Sequence, residues 1–127
     1  MVDFGQLQLT DGVPIYLQII GYLKAGISAG VVKDGDELPS RRTLSALLGV
    51  NPNTIQKAFR LLEEEGLITS RTGSKSFVCL SHEQTEDIKQ QLPREESRQY
   101  VAHMKAMGMD LEETIALIHT IWKEETK

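Results

Sequence analysis

Hydrophobic residues in the first half of the chain recur at helical spacing in three stretches. Pro14 suits the first turn of one helix, which is predicted to end near Ser28 to Gly30. Ser40 and Asn51 are good N-cap residues for two further helices, and Gly49 ends the first of these two. The apolar faces of the three helices comprise Ile15, Ile19, Leu23 and Ile27, then Leu44, Leu47 and Leu48, and finally Ile55, Ala58, Phe59 and Leu62.

A helix-turn-helix with a wing follows from the next segments. Only Gly49-Val50-Asn51 separates the second and third predicted helices. Leu67-Ile68-Thr69 and Phe77-Val78-Cys79-Leu80 are typical of short strands, joined by a hairpin over Ser70 to Ser76. A hairpin directly after a helix-turn-helix predicts the wing of a winged helix. A weak alternation over Phe4 to Leu9 predicts a further short strand.

The remaining sequence predicts two amphipathic helices. Ser81-x-x-Gln84 resembles a capping box for a helix over about His82 to Ala106, which Pro93 is expected to kink or interrupt. Gly108 breaks the pattern, and Asp110-x-x-Glu113 resembles a second capping arrangement. The apolar faces contain Ile88, Leu92, Val101, Met104 and Met107 in the first of these helices, and Leu111, Ile115, Leu117, Ile118, Ile121 and Trp122 in the second.

The charge distribution favours an anionic partner for the winged segment. The formal net charge is −4, but residues 1–80 hold eight basic and eight acidic residues, so the excess of acid lies in the tail. Leu38 to Leu62 contains no acid, and neither does Leu67 to His82. Local field rather than net charge attracts a phosphate backbone. The basic residues of these two stretches are Arg41, Arg42, Lys57, Arg60, Arg71 and Lys75.

The start of the third helix is the predicted base-reading position. In a helix-turn-helix, side chains there reach base edges in the major groove, where Asn pairs well with adenine. Arg41 and Arg42 begin the preceding helix, on the side expected to face the DNA backbone or the edge of the groove. Lys57 fits either a phosphate contact or a solvated helix face. The predicted DNA-binding residues are Ser40, Arg41, Arg42, Asn51, Pro52, Asn53, Thr54, Lys57, Arg71, Gly73, Ser74 and Lys75. Of these, Ser40 and Asn51 are expected chiefly to cap helices.

The sequence argues against catalysis and against a membrane or secreted location. His82, His103 and His119 are scattered without the spacing of metal ligands, and no nucleophile elbow or phosphate loop is present. We therefore expect no enzymatic activity, cofactor or metal. No apolar run approaches the ~20 residues of a membrane span. Cys79 is the only cysteine, fits a reducing cytoplasm, and is predicted to be a packed strand residue.

Several motifs, in order, resemble the DNA-binding domain of the GntR family over about residues 10 to 80. They are Pro14-Ile15-Tyr16-x-Gln18-Ile19, Leu38-Pro39-Ser40-x-Arg42-x-Leu44, Leu48-Gly49-Val50-Asn51-x-Asn53-Thr54-x-x-Lys57-Ala58, and Leu62-Glu63-x-Glu65-Gly66-Leu67-Ile68. The resemblance implies a winged helix that recognises palindromic DNA operators as a homodimer. By motif position, it also implies that Arg42, Asn51, Asn53, Thr54 and Gly73 approach DNA.

The wing departs from that family's pattern. Members usually carry Gly-x-Gly-Thr before the aromatic residue, whereas this chain has Gly73-Ser74-Lys75-Ser76. Lys75 replaces a glycine, so a left-handed backbone there would be strained. The sequence leaves two interpretations: either the wing adopts another turn, or Lys75 adds a phosphate contact.

The tail is too short for the large ligand domain of most GntR regulators, and it resembles the dimerisation element of YtrA-type members. Its exposed apolar residues need a partner, which is either a twin subunit or the chain's own winged domain; we favour the twin. The predicted dimerisation residues are Val101, Met104, Leu111, Ile115, Ile118, Ile121 and Trp122.

The predicted fold is therefore mainly α with a small β-wing (α+β). A winged helix-turn-helix over residues 1–80 is followed by a two-helix dimerisation tail over residues 81–127. The predicted function is a cytoplasmic, homodimeric transcriptional repressor that binds double-stranded DNA. The alternative is a winged-helix protein-interaction module that does not bind DNA.

Overall fold

The computed structural model describes residues 1–71 and 75–126, and within those ranges the predicted α+β architecture is confirmed. The chain forms two compact units, Met1–Leu92 and the segment from Pro93 onward. No helix of the described part is both long and apolar enough to cross a membrane. The elements are α1 (Ile15–Ser28), α2 (Arg41–Leu48), α3 (Pro52–Glu64), β1 (Ile68–Arg71), β2 (Lys75–Val78), α4 (His82–Ala106) and α5 (Leu111–Glu125).

One apolar cluster holds the helices of the first unit together. The predicted faces of α1 and α3 are buried in it, and α2 contributes Leu44, which has no exposed surface. Burying a side chain of this size contributes about 1.5–3 kcal/mol. Leu47 was predicted on the same face of α2 but is 57% exposed. The cluster includes Ile19, Leu23, Ile27, Leu38, Leu44, Ile55, Ala58, Phe59, Leu62, Leu67, Ile68 and Val78.

The turn between α2 and α3 is fixed by backbone conformation and by one serine. Gly49 caps α2 with φ of 67°, in the left-handed region that glycine adopts without a steric penalty. The backbone N–H groups of Gly49 and Val50 both donate to the Ser45 carbonyl, at 2.9 and 3.1 Å. The Ser45 hydroxyl donates to the Val50 carbonyl. These bonds satisfy the end of α2 and set the direction in which α3 begins.

The wing is a hairpin whose second strand is bonded on both edges. Strand β1 pairs with β2 in antiparallel register, with Ile68 opposite Val78. On the other edge, the Leu38 N–H donates to Ser76 O at 2.9 Å and the Val78 N–H to Asp36 O at 2.8 Å. The segment before α2 therefore anchors the base of the wing.

The predicted strand over Phe4 to Leu9 is wrong. This segment is irregular, and its apolar residues pack against α1 instead of pairing as a strand. The Phe4 and Tyr22 ring centroids are 5.3 Å apart, and the Tyr22 hydroxyl donates to Asp3 O at 2.9 Å. Burial of Phe4 contributes about 1.5–3 kcal/mol and holds the segment against α1, whereas a single strand hydrogen bond contributes about 0.5–1.5 kcal/mol.

Two further expectations need correction. Cys79 is exposed and follows β2, which ends at Val78, so it is not a packed strand residue. Because side chains alternate across a strand, burial of Val78 places its neighbour on the outer side. Pro93 does not interrupt α4, which is continuous from His82 to Ala106.

The second unit contains the end of α4 and all of α5. Asp110 and Glu113 form the predicted capping box, with the Glu113 N–H donating to Asp110 Oδ1 at 2.8 Å and the Asp110 N–H to Glu113 Oε1 at 3.1 Å. Met104 is buried within this unit, whereas the apolar face of α5 is exposed. Trp122 is 70% exposed and Leu111 69% exposed.

Two Gly→Ala substitutions should change stability in opposite directions. Neither Gly49 nor Gly21 has another atom near the position of an added Cβ, so only the backbone differs. Gly49→Ala should lower the free energy of unfolding by about 1 kcal/mol, because alanine resists the left-handed conformation. Gly21→Ala should raise it by about 0.5–1 kcal/mol, because Gly21 lies inside α1. Urea titrations at one protein concentration measure both; a Gly49→Ala variant as stable as wild type would contradict the assigned cap.

Candidate nucleic-acid interface

The start of α2 presents two arginines in different environments. Ser40 caps the helix by accepting the Thr43 N–H at 3.0 Å. Arg41 is half-buried, and its guanidinium lies 5.8 Å from the centroid of the Phe59 ring. Its buried Nε has no hydrogen-bond partner among the described residues. Arg42 is exposed. Arg41 is therefore held by packing, while Arg42 extends into solvent.

Two asparagines at the start of α3 have different roles. Asn51 Oδ1 accepts the Asn53 backbone N–H at 2.8 Å, which is the predicted N-cap, and Pro52 occupies the first helical position. The cap uses the backbone of Asn53 and leaves its exposed side chain available. Thr54 is half-buried. This end of α3 thus presents a polar amide beside backbone groups that favour an anion.

Lys57 lies one turn further along α3 and contacts α1. Its ammonium nitrogen is 4.1 Å from the centroid of the Tyr16 ring, within the range of a cation–π interaction. The side chain remains exposed. Tyr16 therefore limits the positions of the Lys57 ammonium without neutralising its charge.

The wing carries two basic residues directly opposite each other. Arg71 and Lys75 form the last described pair of the hairpin, and both are exposed. The Arg71 guanidinium lies 4.7 Å from the centroid of the Phe77 ring. Lys75 is a regular strand residue, so it does not occupy the left-handed position considered from the sequence. The predicted contacts Gly73 and Ser74 lie outside the described residues.

The neighbouring acids bind to other residues of the first unit. Glu64 accepts from Arg60 at 3.2 Å, and Glu65 pairs with Lys24 at 2.9 Å. Within residues 1–71 and 75–126, no salt bridge neutralises the cations of the candidate surface. Its cationic side chains, called the basic surface below, are Arg41, Arg42, Lys57, Arg71 and Lys75.

Three of these cations lie against aromatic rings that were not predicted from the sequence to contact them. Tyr16, Phe59 and Phe77 come from α1, α3 and β2. Tyr16 belongs to the motif that begins at Pro14, but nothing in the spacing of the sequence predicted its contact with Lys57. Phe59 was assigned only to the core. Each of these contacts joins two different elements, so periodicity within one element does not reveal it.

The family match coincides with the helix-turn-helix and wing. Residues 15–78 match the family described as bacterial regulatory proteins, gntR family. This segment begins with α1 and ends with β2. The chain belongs to this family. It is thus a GntR-family transcriptional regulator with a winged helix-turn-helix.

Two relatives of this GntR-family chain match beyond the winged helix. The uncharacterized HTH-type transcriptional regulator YhcF of Bacillus subtilis is 34% identical over 113 residues, covering 89% of this chain and 93% of the relative. The HTH-type transcriptional repressor YtrA of the same organism is 33% identical over 108 residues, covering 84% and 83%. Alignments of this length include part of the tail.

Solved structures agree with the sequence matches. A GntR family transcriptional regulator from Listeria monocytogenes has a TM-score of 0.74 at 30% identity, covering 88% of this chain and 98% of that one. YtrA from Sulfolobus acidocaldarius, a GntR-family transcription factor, has a TM-score of 0.54 at 28% identity, covering 96% and 99%. The predicted YtrA-type resemblance is confirmed. The matched proteins are regulators, which also confirms that this chain is not an enzyme.

The cap assignment separates the roles of two neighbouring asparagines. Asn51→Ala should lower the free energy of unfolding by about 1 kcal/mol, because the Asn53 N–H loses its acceptor. Asn53→Ala should change stability by less than about 0.5 kcal/mol, because its exposed side chain takes no part in the cap. Thermal unfolding of the two variants checks this; equal stabilities would contradict the assignment.

Proposed function

We propose that this regulator is a homodimeric repressor that binds a palindromic DNA operator through its basic surface. The main support for this proposal is that five cations have no acidic partner in the described part of the chain. These cations lie at the start of α2, on α3 and on the wing. Neutralising phosphates with such side chains releases counterions and supplies sequence-independent affinity. The DNA-binding domain of AraR has been solved with operator ORX1, and it superposes on this chain with a TM-score of 0.50 at 29% identity.

Within this proposal, different residues position the protein and read the bases. Asn53 is the candidate base reader, because its exposed amide begins the second helix of the helix-turn-helix. Arg41, Arg42 and Lys57 are assigned to phosphates, and Thr54 to a base or a phosphate. Ser40, Asn51 and Pro52 act by fixing the helix starts.

The wing provides a separate argument for an anionic partner. Like charges directly opposite each other on a β-ladder repel, and Arg71 and Lys75 occupy such a pair. A phosphate beside them would relieve that repulsion. The predicted contacts Gly73 and Ser74, which come between β1 and β2 in the sequence, belong to the same proposal.

The tail is proposed to pair two subunits. Tyr100, Ile118, Ile121 and Trp122 line an apolar groove within the second unit. The face of α5 exposes six large hydrophobic side chains, and Val101 of α4 is exposed as well. Contiguous exposed apolar surface of this kind marks sites of protein association. Met104 supports this face from inside the unit. A two-fold dimer buries the surface and presents two winged helices to two half-sites. We assign residues 1–80 to DNA binding and 81–127 to dimerisation.

Repression is proposed from the similarity to the YtrA repressor of Bacillus subtilis, whose match covers most of both chains. A dimer bound across a promoter excludes other proteins from the same DNA. The site of action would be the cytoplasm.

Mapping of bound DNA across the genome, together with transcript levels in a deletion strain, tests the proposed repression. Transcripts beside bound sites should rise when the protein is absent.

Two substitutions on the basic surface should affect operator binding differently. Asn53→Ala should weaken discrimination at one base pair of each half-site by about 1–3 kcal/mol. Arg42→Ala should weaken binding to all sequences and reduce the salt dependence by about one phosphate contact. Fluorescence anisotropy with operator variants at several salt concentrations measures both.

Lys33→Ala is the matched control for Arg42→Ala. Lys33 is an exposed cation outside the basic surface, so its removal changes the net charge equally. Its operator affinity should stay near that of wild type. Equal losses for Lys33→Ala and Arg42→Ala would contradict a localised contact.

Trp122→Glu should convert the dimer into monomers, because it places a charge in the exposed apolar face of α5. Thr120→Glu introduces the same charge on the opposite side of that helix, where Thr120 is exposed, and should leave the dimer intact. Light scattering gives the mass of both variants. A dimer mass for Trp122→Glu would contradict the proposed interface.

A further inference from the structure

Gln84 forms hydrogen bonds in two directions at the start of α4. Its side-chain Oε1 accepts the Ser81 backbone N–H at 2.8 Å, and the Gln84 backbone N–H donates to Ser81 Oγ at 3.1 Å. These two bonds form the capping box. Its Nε2 also donates to the Gly66 carbonyl at 3.2 Å. Gly66 lies between α3 and β1 and has φ of 77°. One side chain therefore begins α4 and ties it to the end of the proposed recognition helix.

Other contacts hold the start of α4 against the winged helix. The Cys79 N–H donates to Leu67 O, and the Leu80 N–H donates to Asp34 Oδ1, both at 2.8 Å. Leu80 and Ile88 pack against the apolar cluster of the first unit. These contacts hold α4 close to the core, whereas the Gln84 amide is the polar link between α4 and the α3–β1 turn.

We propose that Gln84 is a positioning residue that sets the operator half-site spacing the dimer accepts. This inference rests on the proposed function. The chain passes from the first unit to the second within α4, which is continuous from His82 to Ala106. In a two-fold dimer, the direction in which α4 leaves each winged helix decides where the two recognition helices enter the DNA. Releasing the Gly66 link therefore broadens the range of accepted spacings without removing any contact to DNA.

The discriminating substitution is Gln84→Glu. Glutamate keeps an oxygen that accepts the Ser81 N–H, so the capping box survives. It removes the amide donor and places a carboxylate beside the Gly66 carbonyl. Gln84→Ala removes both functions and serves as a second variant. Gln90→Glu is the matched control, because Gln90 is an exposed residue of the same helix and the chemical change is identical.

The experiment uses the full chain and an operator selected from random DNA. Affinity is measured by fluorescence anisotropy for that operator, for versions with the half-sites moved by about one or two base pairs, and for a single half-site. Gln84→Glu should bind the single half-site like wild type and keep the dimer mass. Its preference for the selected spacing should fall by about two- to tenfold, the value of one hydrogen bond. Gln90→Glu should keep the wild-type preference.

Three results would overturn the inference. A spacing preference of Gln84→Glu equal to that of Gln90→Glu would show that the Gly66 link does not set the spacing. A parallel loss of single half-site affinity would mean that Gln84 shapes the winged helix itself. A wild-type chain that is monomeric or selects no two-fold DNA would overturn the proposed function as well, so the two failures are distinguishable.

Discussion

Burial of one apolar face from each of α1, α2 and α3 is the constraint on which the rest of the structure depends. Leu23, Leu44 and Ile55 have no exposed surface, so neither α2 nor α3 can rotate about its axis without exposing a core residue. The turn that joins α2 to α3 then needs only a left-handed backbone conformation at Gly49 and the hydrogen bonds of Ser45. Because the core fixes both helices, the polar residues at their N-termini stay on the outside, where they are available for DNA.

The basic surface depends on the same core through its aromatic rings. Phe59 is buried in the cluster and also lies beneath the Arg41 guanidinium. Tyr16 packs against the cluster and lies beneath Lys57. A cation held in this way loses less side-chain entropy when it meets a phosphate, because part of its freedom is already gone. The core thereby contributes to the proposed electrostatics as well as to stability.

The acidic net charge is compatible with DNA binding because opposite charges occupy different parts of the chain. Tail residues hold the whole excess of acid, and acids near α3 are paired with Arg60 and Lys24. The exposure of the apolar face of α5 has a different physical cause. Its exposure reflects a surface that two amphipathic helices cannot bury by themselves.

Features that arise from contacts within a few residues of the chain could be predicted from the sequence. Caps and boxes involve neighbours two or three residues apart, so Ser40, Asn51, Ser81 and Asp110 marked the helix starts, and α4 spans the predicted range. Motif resemblance then indicated the family. Tertiary structure alone decided the packing of Phe4, the exposure of Cys79, the cation–ring contacts and the bond from Gln84 to Gly66. Apart from the exposure of Cys79, these features join residues of different elements, and the packing of those elements on the shared core brings the residues together.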